Sequence, residues 1–177
     1  MTNYIYIATS LDGFIATNEG GLDWLEDIPN PEKSDYGFAE FMSGIDALVM
    51  GRKTFEKVLT FESWPYDKPV FVLSKGRRKV PKELEGKAEI IQGDPKIVVE
   101  QLNKLGHQNL YIDGGITIQN FLEEDLIDEM IITKVPILLG EGIPLFDKLS
   151  KRLKFSHLKT EVLSNTLVKT HYIRKKK

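Results

Sequence analysis

The stretch that decides the fold is MGRKTF, residues 50–55, where a short apolar strand passes through one glycine into a predicted helix over residues 54–59. Gly51 lets a ligand approach the backbone closely, and the free amides at a helix start attract phosphate oxygens. Arg52 and Lys53 place two positive charges beside those amides. From these residues alone, the segment is either an anion site or a capped helix with two solvated cations.

Two further segments share this pattern of a strand followed by glycine or small polar residues. Residues 72–77 read VLSKGR and continue with Arg78 and Lys79, and residues 111–116 read YIDGGI. In open α/β sheets, ligands bind beyond the carboxyl ends of the strands. Three such turns, two of them basic, predict an extended phosphorylated cofactor, and the basic groups favour NADP over NAD. The Rossmann glycine fingerprint and the P-loop are both absent from the sequence.

Strand and helix patterns alternate along the chain, which predicts an α/β sheet with helices on both faces. The predicted strands cover residues 4–9, 47–50, 69–74, 89–92, 110–112 and 128–135, and the predicted helices cover residues 35–44, 54–59, 95–105 and 116–122. Residues 154–161 and 166–174 are predicted to form a terminal antiparallel pair. The expected architecture is therefore a three-layer fold with a mostly parallel central sheet and an antiparallel C-terminal edge.

Composition narrows the classes of function. A chain of 177 residues suits one domain, which we expect to span residues 1–177. The net charge of −2 gives no reason to expect a nucleic-acid or membrane partner, and the basic residues 174–177 are expected to be a solvated end. The absence of cysteine excludes thiolate chemistry and fits a cytoplasmic location. With three histidines and no H-x-x-x-H spacing, we expect no metal site.

The string MGRKTFE resembles the dihydrofolate reductase-like superfamily, and more closely the reductase domain of the bifunctional riboflavin-biosynthesis protein and its small stand-alone bacterial relatives. The resemblance covers nearly the whole chain and implies NADPH as the cofactor. It implies contacts to the phosphates, the adenosine side, the pyrophosphate turn and the nicotinamide pocket. By this resemblance, Gly51, Arg52, Lys53 and Thr54 contact the phosphates, and Leu73, Ser74 and Lys75 contact the adenosine side. The pyrophosphate turn comprises Asp113, Gly114, Gly115, Ile116 and Thr117, and the nicotinamide pocket includes Ala8 and Ile15.

The resemblance also implies residues on the substrate side. Asp12 belongs to an opening signature, SLDG, and Trp24 ends a loop over residues 18–24 that acts as a lid over the nicotinamide in the superfamily. Asp35 stands sixteen residues before Gly51, the spacing of the pterin-binding acid of bacterial dihydrofolate reductases, and Thr133 matches the threonine that supports that acid. Asp35 would then be catalytic; the alternative is that it caps the helix that starts there.

Two departures separate the chain from the folate enzymes. Residues 136–146 read PILLGEGIPLF, which resembles the riboflavin-type reductases, and Ile118 is matched to the tyrosine beside the nicotinamide. The implied activity is hydride transfer from NADPH to a C=N or C=O bond of a small heterocyclic or ribosyl substrate, similar to 5-amino-6-(5-phosphoribosylamino)uracil reductase. The alternatives are an authentic dihydrofolate reductase and a non-catalytic NADP-binding module. The riboflavin-type relatives also imply a homodimer.

Overall fold

A computed structural model describes residues 1–76 and 79–176. Its central feature is an eight-stranded sheet with the order β5-β4-β3-β6-β1-β7-β10-β9. The strands of this sheet and of a two-stranded ribbon are β1 (Thr2–Thr9), β2 (Phe14–Ala16), β3 (Ala47–Gly51), β4 (Val70–Leu73), β5 (Ala88–Ile91), β6 (Asn109–Asp113), β7 (Glu129–Lys134), β8 (Ile143–Pro144), β9 (Phe155–Leu163) and β10 (Leu167–Arg174).

The predicted fold class is confirmed by the pairing of these strands. Strands β5, β4, β3, β6, β1 and β7 run parallel, while β10 pairs antiparallel with β7 and β9 pairs antiparallel with β10. The apolar run LVM in the middle of β3 is fully buried, as expected for a central strand covered on both faces. The antiparallel hairpin of β9 and β10 closes one edge.

Helices cover both faces of the sheet. The helices are α1 (Phe38–Ser43), α2 (Arg52–Val58), α3 (Pro95–Lys104) and α4 (Gly115–Glu123). Side chains of α1 and α2 pack with Leu48 and Met50 on one face, and those of α3 and α4 pack with Val49 and Ile112 on the other. Among the described residues, no helix combines the length and hydrophobicity that a membrane span requires.

The structure corrects several predicted boundaries. The first helix begins at Phe38 rather than at residue 35, because Tyr36 and Gly37 have positive φ angles of 55° and 87° that interrupt helical geometry. The ribbon of β2 and β8 was not predicted, since strands of three and two residues carry too little periodicity to be recognised.

The basic C-terminal end is not simply solvated, as the sequence had suggested. The Arg174 guanidinium pairs with Asp125 at 2.6 Å and its side chain is only 9% exposed. Lys176 pairs with Asp128 at 2.5 Å. Arg77, Arg78 and Lys177, which the sequence placed in basic clusters, lie outside the described residues.

The sheet order determines which loops meet. Strands β4, β3 and β6 are neighbours, with Gly51 opposite Leu73 and Met50 opposite Asp113 in the parallel ladders. The carboxyl ends of parallel strands share one edge of the sheet. The three turns singled out in the sequence therefore open onto the same side of the molecule.

Candidate functional site

A large cleft lies at this edge, with a volume of about 1600 Å³. Pockets for single drug-sized ligands are usually about 300–1,000 Å³. The cleft therefore has room for a dinucleotide and a second, smaller molecule side by side.

Every residue that the sequence assigned to the cofactor lines this cleft. They are Ala8, Ile15, Gly51, Arg52, Lys53, Thr54, Leu73, Ser74, Lys75, Asp113, Gly114, Gly115, Ile116 and Thr117. The parallel register explains this result, because it places the ends of β3, β4 and β6 next to one another. The structure thus brings together residues that lie more than 100 positions apart in the sequence.

The starts of α3 and α4 supply amide donors to the cleft. Each of these helices is nine residues or longer, and neither N-cap residue, Asp94 or Gly114, makes a side-chain capping bond. The first amides of a helix have no partner within the helix and carry its positive dipole end. Backbone donors without side-chain caps at the wall of a cleft suit the phosphate oxygens of a ligand.

Glycines keep this part of the cleft wall free of side chains. Gly114 has a φ angle of 88°. A Cβ at this position would overlap the Thr54 hydroxyl, because the Thr54 side chain of α2 packs directly against the Gly114 backbone at the start of α4. A Cβ on Gly115 would lie 3.0 Å from Ile143 Cγ2 and 3.1 Å from Ile15 Cδ1. Glycine at residues 114 and 115 therefore lets the start of α4 pack closely against Thr54, Ile15 and Ile143 at the wall of the cleft.

Positive charge at this end of the cleft is local, since the whole chain carries −2. Arg52 is partly exposed and lies 3.6 Å from Glu56 within α2, while Lys53 and Lys75 are exposed. Exposed side chains at the mouth of a cleft can reach a ligand without first breaking a buried ion pair. Together with the helix amides, these cations fit an anionic dinucleotide.

The other end of the cleft is an aromatic chamber that the sequence analysis did not identify. Its walls are Tyr6 of β1, Phe38 of α1, Tyr111 of β6, and Phe61 and Tyr66 of the loop after α2. The ring centroids of Tyr6 and Phe38 are 5.7 Å apart, and those of Phe38 and Tyr111 are 6.4 Å apart. We refer to these five residues, with Asp113 beside them, as the acceptor chamber.

Ile118, which the resemblance matched to a tyrosine of the superfamily, is not among the residues that line the cleft. Ile118 is fully buried on α4, where it packs with Phe121 in the core of the opposite sheet face. Tyr66 and Tyr111 supply the aromatic surface instead. The alternation of Tyr4 and Tyr6 along β1 was the signal in the sequence for one wall; the rest depended on tertiary packing.

Asp113 is the carboxylic acid of the chamber, and its pKa is raised. It ends β6, is half-buried, and accepts a hydrogen bond from the Gly114 amide at 2.8 Å. Burial raises the pKa of its carboxyl from 3.8 to about 6, although the hydrogen bonds from Gly114 and Tyr111 oppose that rise. Asp113 therefore exchanges a proton near neutral pH.

Asp35 takes the alternative role left open by the sequence. Its Oδ1 accepts the Gly37 amide at 2.9 Å and its Oδ2 accepts the Ala39 amide at 2.8 Å. These bonds at the start of α1 lower the pKa of the fully exposed carboxyl. Asp35 does not line the cleft, so its position contradicts the catalytic assignment and supports a capping role.

The three residues assigned to the substrate or the lid also lie outside the cleft. Asp12 accepts the Ser10 hydroxyl at 2.5 Å and the Gly140 amide at 2.8 Å, which joins the β1–β2 turn to the loop before β8. Trp24 is 3% exposed and packs against Val135. Thr133 is buried within β7. Within the loop over residues 18–24, Asn18, Glu19, Gly20 and Leu22 line the cleft, and the buried Trp24 lies at their C-terminal side.

The sheet order and the cleft define a protein of dihydrofolate reductase-like fold. A profile of the RibD C-terminal domain matches residues 4–169. The chain belongs to this family of riboflavin-pathway reductase-like proteins.

Solved structures agree with this assignment. A Shewanella sp. PV-4 protein, provisionally described as a riboflavin biosynthesis protein, is 52% identical with a TM-score of 0.96 over 99% of this chain and 100% of its own. The Thermotoga maritima bifunctional diaminohydroxyphosphoribosylaminopyrimidine deaminase/5-amino-6-(5-phosphoribosylamino)uracil reductase is 18% identical with a TM-score of 0.76, over 98% of this chain and 56% of its own. Enterococcus faecalis dihydrofolate reductase in complex with NADP(H) shares the fold at 14% identity and a TM-score of 0.66, over 99% of this chain and 97% of its own.

Proposed function

We propose that this protein is an NADPH-dependent reductase that adds hydride to a C=N or C=O bond of a small heterocyclic or ribosyl acceptor. The observation that carries the proposal is one cleft in which two basic strand ends and a glycine turn adjoin an aromatic chamber. The E. faecalis enzyme of the same fold is complexed with NADP(H), which supports the choice of cofactor.

The chain's own residues would bind and orient the cofactor, which supplies the hydride. Arg52, Lys53 and Lys75 would contact phosphate oxygens, assisted by the amides at the start of α4. Ala8 and Ile15 would bound the slot for the flat nicotinamide, and Gly115 would let the ring lie close to the backbone. Closure of the loop over residues 18–24 would exclude water from the reacting atoms.

Reduction of a C=N bond also needs a proton at the nitrogen. Asp113 replaces Asp35 as the proposed donor, because Asp113 lines the cleft and exchanges its proton near neutral pH. One of its oxygens accepts the Gly114 amide, which fixes the orientation of the carboxyl group. With a pKa of about 6, the rate of a step that needs the protonated form would fall as the pH rises above that value.

The cofactor assignment is tested by Arg52→Ala, with Lys104→Ala at the far end of α3 as the control. Loss of a charged hydrogen bond to phosphate costs about 1.5–3 kcal/mol, so we expect the NADPH dissociation constant to rise at least tenfold in Arg52→Ala. Fluorescence titration measures it. Equal affinities in both variants and the wild type would show that the cofactor does not use this end of the cleft.

The acceptor is tested with two substrates under NADPH oxidation. We propose 5-amino-6-(5-phosphoribosylamino)uracil as the favoured acceptor, because the chain matches the RibD C-terminal domain and the Thermotoga neighbour is named as a reductase of this compound. An efficiency of about 10⁴ M⁻¹s⁻¹ or more with dihydrofolate alone would instead identify a dihydrofolate reductase. Tight NADPH binding with no turnover of either compound would identify a non-catalytic NADP-binding module.

We also propose that the protein acts in the cytoplasm as a homodimer. The hairpin of β9 and β10 exposes apolar side chains, with Leu158, Val162 and Val168 accessible to 55%, 65% and 38%. Val162 and Val168 are direct partners in the ladder, so their side chains share one face. Exposed apolar patches of this kind mark interaction surfaces. Gel filtration with light scattering measures the mass, and a monomer at micromolar concentration would contradict the dimer.

A further inference from the structure

Three tyrosines line the acceptor chamber, and the hydroxyl groups of two of them are already engaged. Tyr6 Oη donates to the Tyr36 carbonyl at 2.9 Å. Tyr111 Oη donates to the Tyr6 carbonyl at 2.9 Å. Within the parts of the chain that the structure describes, the Tyr66 hydroxyl makes no hydrogen bond. Of the three tyrosines in this chamber, Tyr66 is therefore the one whose hydroxyl proton is not donated to a backbone carbonyl of the described residues.

Packing holds the Tyr66 ring in place, although its hydroxyl has no hydrogen-bond partner among residues 1–76 and 79–176. The ring is half-buried and meets Trp64 edge-on, with centroids 5.4 Å apart and planes at 83°. Trp64 in turn meets Phe55 of α2 edge-on at 5.9 Å. A series of edge-on aromatic contacts of this kind fixes a side chain without using its polar atom. The Tyr66 hydroxyl is therefore a positioned donor at the cleft wall.

Asp113 is the neighbour that gives this donor a chemical context. Burial raises the pKa of Tyr66, and the negative charge of Asp113 raises it further. A negative charge on Tyr66 likewise raises the pKa of Tyr111. The Tyr66 phenol thus stays neutral through the usual range of assay pH and keeps its proton available for donation. The Tyr66 hydroxyl and the Asp113 carboxyl line the same cleft, which therefore presents a neutral donor and a carboxyl group to one ligand.

We propose that the Tyr66 hydroxyl is a hydrogen-bond donor to the hydride acceptor and that, with Asp113, it selects rings that carry a carbonyl oxygen beside a ring nitrogen. That pair of atoms is the edge of a cyclic amide. The hydroxyl keeps its own proton; its hydrogen bond draws electron density toward the carbonyl oxygen and so favours hydride addition to a C=N bond conjugated with the ring. This inference rests on the proposed function only in placing the acceptor in this chamber.

The test compares two rings that differ at the oxygen. The NADP⁺-saturated protein is titrated with pterin, which carries the oxygen, and with 2,4-diaminopteridine, in which an amino group replaces it. The measured quantity is the ratio of the two affinities. A donor that loses its oxygen acceptor changes binding by about 1–2 kcal/mol, so we expect Tyr66→Phe to lower the pterin preference about tenfold.

Tyr6→Phe is the matched control, since the Tyr6 hydroxyl in the same chamber donates to the Tyr36 carbonyl. Loss of that bond disturbs the wall for both rings, so both affinities fall together and the ratio is unchanged. An unchanged ratio in Tyr66→Phe overturns the inference, as does a wild-type protein that binds neither ring. Binding of NADP⁺ to the protein is measured first. A protein that does not bind NADP⁺ counts against the proposed function rather than against this inference.

Discussion

The raised pKa of Asp113 makes a quantitative prediction about stability. The carboxyl has an ordinary pKa of 3.8 and a pKa of about 6 in the folded protein. A pKa raised by folding gives stability that is fully present below the unfolded value and is lost as the pH rises through the folded value. A shift of about two units at 1.36 kcal/mol each corresponds to about 3 kcal/mol. The wild type should therefore lose about 3 kcal/mol relative to Asp113→Asn between pH 4 and pH 8.

The assay is urea unfolding of both proteins at several pH values, because the amide of Asn does not titrate. The difference in unfolding free energy should change mainly between about pH 4 and pH 6, the interval between the unfolded and the folded pKa of Asp113. Asp46→Asn is the control of opposite sign, since the amides of Gln108 and Asn109 lower the pKa of Asp46, and wild-type stability from that residue is lost as the pH falls. A wild-type minus Asp113→Asn difference that is flat between pH 4 and pH 8, or of reversed sign, would refute the desolvation of Asp113.

Further variants test the packing around the cleft. Gly114→Ala should destabilise the protein by more than the ~1–2 kcal/mol that a positive φ costs a residue with a side chain, because the new Cβ also overlaps the Thr54 hydroxyl. Adding Thr54→Ala removes this overlap and should restore part of the lost stability. Thermal unfolding of the single and the double variant measures both effects. Trp24→Ala should cost about 3–5 kcal/mol in chemical denaturation and speed proteolysis of the loop before it; a loss below ~1 kcal/mol would mean that Trp24 does not anchor the loop. Asp35→Ala should lower the melting temperature while Asp35→Ser retains much of the cap, and neither should change kcat; a large drop in kcat would restore Asp35 as the catalytic acid.

Much of the basic, glycine-rich end of the cleft could be predicted from the sequence. The glycine and basic residues at 51–54, 73–75 and 113–117 all line the cleft, because turn chemistry at a strand end is a local property. The parallel sheet was also recognisable, since a buried central strand such as β3 is a short continuous apolar run. Both signals lie within a few consecutive residues and need no long-range contact to be recognised.

The assignments that failed depended on sequence spacing alone. Asp35 has the spacing of a catalytic acid, but the positive φ angles of Tyr36 and Gly37 turn its carboxyl toward the amides of α1. Trp24 has the position of a lid residue, but its indole is buried against Val135. Spacing along a chain fixes neither the direction of a side chain nor what packs over it.

The sequence by itself determined the class of fold and the turns that suit a phosphorylated cofactor, because periodicity and glycine placement act over short distances. Tertiary structure alone decided the acceptor chamber. Its walls come from β1, α1, β6 and the loop after α2, and they meet only because the sheet places β1 and β3 on either side of β6. The same packing partly buries Asp113 and, among the residues that the structure describes, leaves the Tyr66 hydroxyl without a backbone partner, and these are the two properties from which the chemistry of the acceptor was inferred.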